Sequence, residues 1–367
     1  MLDEDTIAAA ETACQAAGYE TRRAPLKLFR ETDVSDDSEC LLIGIPNGRF
    51  IRWNEITSDY VIRAIPAVEV PEATALGDYE ALLYKDTREI EAGLRPLAAL
   101  AANSFSLENE FKRIAARAGE DGTRGDPIRD SWALKLIADA GQEWSAEISP
   151  RSSRFSIFHY THYARVPITL KIRGAATSSR HDEAFKLLEE IGQAILFELD
   201  LRHGMAVCLS KIPWRTRLIR TKREEKQPRS IHVISIPRDM IADMPSLPKS
   251  TYPSDPLALY WHARTAVGMP LIQYLASYQV LEYYFYVYYE REIIDRIKEE
   301  LAYARVAEQS DMHVSRIIKI ARSEGKPHGT ERDQLRATVR GCVANTTLEE
   351  YLSDDSRRDF FTRLSQF

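Results

Sequence analysis

The chain has 367 residues, with 49 Lys and Arg against 55 Asp and Glu, a formal net charge of −6. Hydrophobic residues make up 44% and charged residues 28%, a balance that builds a buried core and excludes an intrinsically disordered chain, and the length accommodates two or three domains. No charge-free apolar run reaches the roughly 18 residues of a membrane span. The opening MLDEDTIAAAETA lacks the basic and apolar regions of a secretory leader. The four cysteines, Cys14, Cys40, Cys208 and Cys342, are far apart without a CxxC pair, so neither structural zinc nor disulfides are expected, and a reducing cytoplasm fits.

In chain order, residues 5–17 predict a short helix stopped by Gly18. Cys40–Ile45 and Arg49–Trp53 predict two strands around Pro46-Asn47-Gly48, because Asn and Gly tolerate the positive φ of a tight hairpin. Tyr60–Ile65 predicts a third strand, closing a small β-rich domain over 1–75. Residues 76–126 predict a helical connector, with Leu76, Leu82, Leu83, Ile90, Leu94 and Leu97 near helical spacing, ending in a linker carrying Gly119, Gly122 and Gly125. That glycine spacing fits neither a phosphate loop nor a dinucleotide fingerprint, so no cofactor is expected. Residues 127–250 predict an α/β unit with strands at Phe155–His159, Val166–Arg173, Gly204–Leu209 and Ile231–Ile236. Its helix runs to Leu199 behind a capping box at Ser179 and Asp182. From 256 to 367 the pattern is all-helical, with one long helix over 271–307 after Gly268-Met269-Pro270 and further helices near 310–322, 331–343 and 347–365. The expected class is α+β.

The charge is uneven along this order. Residues 1–40 hold ten acids and four bases, while Lys211, Arg215, Arg217, Arg220, Lys222, Arg223, Lys226 and Arg229 crowd residues 211–230 against two acids. Such asymmetry suits one anion-facing surface, and Trp214 adds a group on which a base can stack. These nine residues, Lys211, Trp214 and the seven bases that follow, are the candidate nucleic-acid contacts. Other chemistry is thinly represented. His159-Tyr-Thr161 and His313-Val-Ser315 have the two-histidine phosphoesterase pattern, but the second triplet falls in a helical stretch. His159 and His162, read on a strand, face opposite sides and cannot share a metal. Glu224-Glu225-Lys226 lies in a polar loop, away from any core strand.

Residues 274–289 carry seven of the 17 tyrosines of the chain, together with Phe285, distributed around the helix, which predicts burial on most sides or packing against another subunit. The core PLIQYLASYQVLEYYFYVYY, followed by Arg322-Ser-Glu-Gly-Lys-Pro-His328-Gly329, resembles the HEPN superfamily, especially HEPN-like domains of prokaryotic defence proteins, over residues 256–345. The resemblance implies a helical bundle that dimerises through the aromatic helix. It also implies a metal-independent ribonuclease in which Arg322 clamps the scissile phosphate and His328 moves the proton. Ser323 departs from the polar Asn, His or Asp usual after the arginine. A second register, Glu331 to Arg340, has the look of the family's motif helix and places arginine where histidine belongs, which implies an inactive bundle. Two functions therefore stand open: a nucleic-acid-associated defence or toxin-like component, with RNA the expected ligand, or a non-enzymatic adaptor docking a partner subunit.

Overall fold

The structure is a computed structural model that describes residues 4–25, 39–56, 59–97, 104–117, 132–137, 143–159, 168–176, 178–212, 245–266, 269–306, 314–318 and 330–344. It has the expected α+β composition and divides into two compact units, Met1–Tyr252 and Pro253–Phe367. The first unit opens with α1 (Glu4–Ala16), followed by an antiparallel sheet of β1 (Glu20–Pro25), β2 (Glu39–Asn47) and β3 (Phe50–Ile56) in that order. Asn47 pairs with Phe50, so the hairpin loop is only Gly48-Arg49, and Gly48 takes the positive φ (63°) that makes so short a reversal possible.

Tyr60–Ile65 is not a strand. It forms α2 (Asp59–Ala64) and a 3-10 turn (Ile65–Ala67), and buries Val61, Ile62 and Ile65 against Ile7, Ala10 and Cys14 of α1. The β-branched run satisfies the same apolar demand on a helix face, because strand propensity yields to tertiary packing.

The second sheet is antiparallel throughout, in the order β4 (Ala73–Ala75), β5 (Ala81–Tyr84), β6 (Ile90–Pro96), β9 (Ile168–Arg173), β8 (Ser145–Pro150) and β7 (Leu134–Lys135). β10 (Val207–Leu209) adds to the end of β6. Its strands come from all three segments that the sequence pattern separated between residues 1 and 250. In particular, β5 and β6 occupy the stretch expected to be a helical connector. Their residues 81–84 and 90–94 are buried on both faces, so they read as a continuous apolar run that periodicity cannot tell from a helix. The helix of that region, α3 (Ser104–Arg117), begins only afterwards. Residues 119–125 and 231–236 lie outside the described residues.

Phe155–His159 is likewise helical rather than extended. α4 (Ser153–Phe158) starts at Ser152, whose hydroxyl accepts from the backbone N–H of Phe155. It drives Phe155 and Phe158 into the core shared by α1, β2, Leu82 and Tyr84, worth about 1.5–3 kcal/mol per fully buried aromatic side chain. The other face of the large sheet is covered by α5 (His181–Leu187), a π-helical turn (Leu188–Gly192) and α6 (Gln193–His203). A Cβ on Gly192 would sit 3.9 Å from Leu170 of β9, which measures how closely this helix approaches. The capping box expected at Ser179 and Asp182 is absent: helix α5 is N-capped by Arg180 without a side-chain bond, and Asp182 pairs with His181 instead.

The described residues of the second unit form helices, α7 (Ser254–Thr265), α8 (Pro270–Val306), the short α9 (residues 314–318) and α10 (Glu331–Cys342), and the helix expected at 347–365 lies outside the described residues. Pro270 opens α8 at the position where its missing N–H costs nothing. A true capping box closes the start of α10, with Thr330 accepting from the Asp333 N–H and Asp333 accepting from Thr330. No helix among the described residues is long and apolar enough to cross a membrane.

Candidate functional site

Of the candidate nucleic-acid and catalytic residues, the structure describes Lys211. Trp214, Arg215, Arg217, Arg220, Lys222, Arg223, Lys226 and Arg229 lie outside the described residues, as do Arg322 and His328. The described residues that flank this stretch, Lys211-Ile212 before it and Ser246 after it, are placed on the sheet. Lys211 bridges to Tyr79, with Nζ 5.3 Å above the Tyr79 ring, and the Ile212 N–H donates to the Asp78 carbonyl (2.9 Å). At the far end, Ser246 bridges in parallel to Ile137, just past β7. The described chain on either side of residues 213–244 is thus tied to the large sheet, through β10 beside β6 and through Ile137 just past β7.

The departure point is a junction of three chain segments. The Glu80 N–H donates to the Ser210 carbonyl (2.8 Å), the Gly93 N–H to the Glu80 carbonyl (2.8 Å) and the Ser210 N–H to the Gly93 carbonyl (2.7 Å). Alternation puts Glu80, Arg95, Cys208 and Ser210 on the sheet face that looks toward β3 and α4. From β3, Arg52 reaches across, its Nη1 donating to the carbonyls of Tyr79 (2.8 Å) and Gly77 (3.2 Å), and Nη2 to Nε2 of His159 (3.2 Å). Asn47 clasps the same loop, donating to the Gly77 carbonyl and accepting from the Gly77 N–H (3.1 and 2.9 Å).

Electrostatics follow from this enclosure. His159 accepts from a guanidinium, so it is held neutral; burial, reinforced by Arg52, depresses it well below the usual imidazole range. It caps the end of α4, not a strand, and acts here as a buried acceptor rather than as half of a phosphoesterase pair. Burial lowers Arg52 to about 10 against the opposing pull of Glu80 and Asp78, leaving it charged at neutral pH. The buried Glu80 carboxyl is raised, first by desolvation, with the Ser210 hydroxyl and then Arg52, Arg95 and Arg151 pulling it back. Sequence reasoning missed this cluster. Its members are scattered from 52 to 210, and only the register of β6 against β10 brings them together.

A second polar site holds α4 in place. The fully buried Glu91 carboxylate accepts from Tyr84 Oη (3.0 Å), Ser152 Oγ (2.6 Å), the Ser152 N–H (2.9 Å) and Thr169 Oγ1 (2.9 Å). With all its directions filled, this carboxylate is structural. Among the described residues no group of three or more His, Cys, Asp or Glu is placed to hold a metal ion.

In the helical unit, α10 runs parallel to α8. Tyr278 donates to Glu331 at one end, and Arg340 meets Glu292 (3.7 Å) toward the other. A Cβ on Gly341 would come within 2.3 Å of the Tyr288 ring, so glycine is what lets the two helices approach there. Phe285 and Tyr289 are buried, whereas ten large apolar or tyrosine side chains of α8 are exposed at 40–78% of their surface. Seven of them, Ile272, Leu275, Tyr283, Tyr286, Val287, Ile294 and Leu301, recur on one side over about 44 Å of helix, and Leu271, Tyr274 and Leu281 lie on the other side of its first turns. The tyrosines thus divide between core and surface, where sequence left burial and subunit packing both open.

No family model, curated protein or solved structure matches this chain.

Proposed function

We propose that the protein is a cytoplasmic, nucleic-acid-associated component of a prokaryotic defence or toxin-like system, with RNA as its ligand and a HEPN-like helical unit as its effector. The single observation that carries this reading is the exposed apolar and tyrosine face of α8, a feature that monomeric helices rarely leave in water and that a self-associating bundle would cover. In the superfamily that the sequence resembles, such pairing brings an Arg and a His from each subunit to one cleft, roles that the resemblance gives to Arg322 and His328. There the 2′-hydroxyl would attack the adjacent phosphorus, with His328 moving the proton and Arg322 holding the developing negative charge through paired donors. The basic segment from Lys211 to Arg229 would hold the backbone phosphates.

A second reading has an observation of its own. The register from Glu331 to Arg340 is a well-capped helix whose Arg340 is engaged by Glu292, which supports a structural bundle serving as an adaptor for a partner subunit. Cleavage of labelled RNA in excess chelator separates the two. The ribonuclease reading expects cleavage by the wild type and its loss in both Arg322→Ala and His328→Ala. Binding without cleavage, unchanged by either substitution, overturns it in favour of the adaptor.

A further inference from the structure

We infer that His181 is a proton-operated latch, which closes α5 onto the β2–β3 hairpin when its imidazole carries two protons and loosens when it carries one. The ring stands between two acceptors. Its Nε2 lies 2.9 Å from Asn47 Oδ1, and its Nδ1 lies 2.9 Å from Asp182 Oδ1. Neither neighbour can turn donor. Asn47 is committed to Gly77, donating through its amide nitrogen to the Gly77 carbonyl (3.1 Å) and accepting from the Gly77 N–H (2.9 Å), so a flipped amide would break two bonds. Asp182 is a carboxylate, held below the usual range by its hydrogen bond from His181. A neutral imidazole has one N–H and one lone pair, so one of the two contacts would then set lone pair against lone pair. Only the imidazolium donates at both.

The ring has little room to avoid this choice. It stacks on Phe185 of its own helix, with centroids 5.9 Å apart and planes at 5°, and a Cβ on Gly48 would sit 3.1 Å from Nδ1, so the side chain is only 19% exposed. Phe185 in turn lies against Gly77, where a Cβ would meet its ring at 2.3 Å. The latch therefore joins three pieces: the hairpin of the first sheet, the loop between β4 and β5 of the second, and α5. The charged groups around it are Asp182, Arg180 and Glu183 at the head of α5, Arg49 at the hairpin tip, Asp78 next to Gly77, and Arg52, whose Nη1 shares the Gly77 carbonyl with Asn47. Of these, Asp182 touches the ring. The same loop holds the chain after β10, since the Ile212 N–H donates to the Asp78 carbonyl. The closed latch binds one proton more than the open one, so the hairpin and the loop lose protection as pH rises.

Hydrogen–deuterium exchange of the full chain at about pH 6.5 and about pH 8.5, corrected for the intrinsic pH dependence of exchange, reads this loss. His159 is buried and neutral in the fold, so it does not titrate in that window. In the wild type, amides of residues 47–52 and 77–79 are expected to exchange about threefold faster at the higher pH, the loss of one net hydrogen bond. Asp182→Asn gives the ring a partner that either accepts or donates, and His181→Gln keeps a donor for Asn47 without a titrating group. Each variant is therefore expected to exchange alike at both pH values. Melting at the lower pH establishes the fold of each, and because Asp182 is exposed its variant tests the latch even where His181→Gln is misfolded. Exchange that is independent of pH in the wild type, or the wild-type pH dependence persisting in Asp182→Asn, overturns the inference.

Discussion

Replacing Glu91 by alanine should be among the most damaging single changes in the first unit. The side chain is fully buried and accepts four hydrogen bonds from Tyr84, Ser152 and Thr169, and Ser152 also caps α4. Bonds to a charged acceptor contribute about 1.5–3 kcal/mol each, so the gross interaction is on the order of 6–12 kcal/mol. Burying the carboxylate offsets much of that sum. What remains in Glu91→Ala is the penalty of donors left dry plus a cavity, about 3–5 kcal/mol. In a unit of this size, about 2–4 °C of melting temperature per kcal/mol gives a fall of roughly 6–20 °C. Glu91→Gln should lose only about 1–2 kcal/mol, because the hydroxyls of Tyr84, Ser152 and Thr169 can rotate to accept from the new amide. Differential scanning calorimetry of the full chain checks both numbers. If Glu91→Ala melts within about 2 °C of the wild type, the carboxylate is not the tie between α4 and the sheet, and the reasoning fails.

The buried neutral His159 makes stability depend on pH. Its folded pKa is depressed, so below about 6.5 the unfolded chain takes up a proton that the folded one does not, and stability falls by up to about 1.4 kcal/mol per pH unit until the folded pKa is reached. His159→Gln, which keeps an acceptor for Arg52, should lose less stability than the wild type between pH 7.5 and 5.5, and equal losses would contradict this. Gly341→Ala should destabilise the helical unit although alanine is favoured in helices by about 1 kcal/mol, since its Cβ would meet the Tyr288 ring at 2.3 Å. A rise in helical melting temperature by circular dichroism would refute the close approach. Tyr286→Glu/Val287→Glu on the exposed face of α8 should halve the particle mass measured by light scattering, while an unchanged mass would remove that face from any self-association.

Elements whose borders carry their own chemistry were legible in the sequence. Gly18 after α1, Gly48 in the hairpin and Pro270 at the head of α8 are local stops and starts that tertiary packing does not move. The hydrophobic runs with two possible outcomes were not legible. Residues 81–84 and 90–94 lie inside a sheet and so show no alternation, whereas 60–65 and 155–158 are β-rich in composition yet fold as helices, because α1 and the large sheet already supply surfaces for a helix to cover. The cluster around Glu80 was invisible for a different reason. Glu80, Arg95 and Ser210 are unremarkable alone, and only the Cys208–Arg95 register and the Glu80–Gly93–Ser210 hydrogen bonds make neighbours of them.

Association with RNA underlies the leading proposed function, and equilibrium binding of the full chain to single-stranded RNA tests it most directly. A basic segment of eight cations predicts clear binding near 50 mM salt that falls by at least a hundredfold at 200 mM as counterion release is lost. Binding that is absent at low salt, or indifferent to salt, would contradict the account.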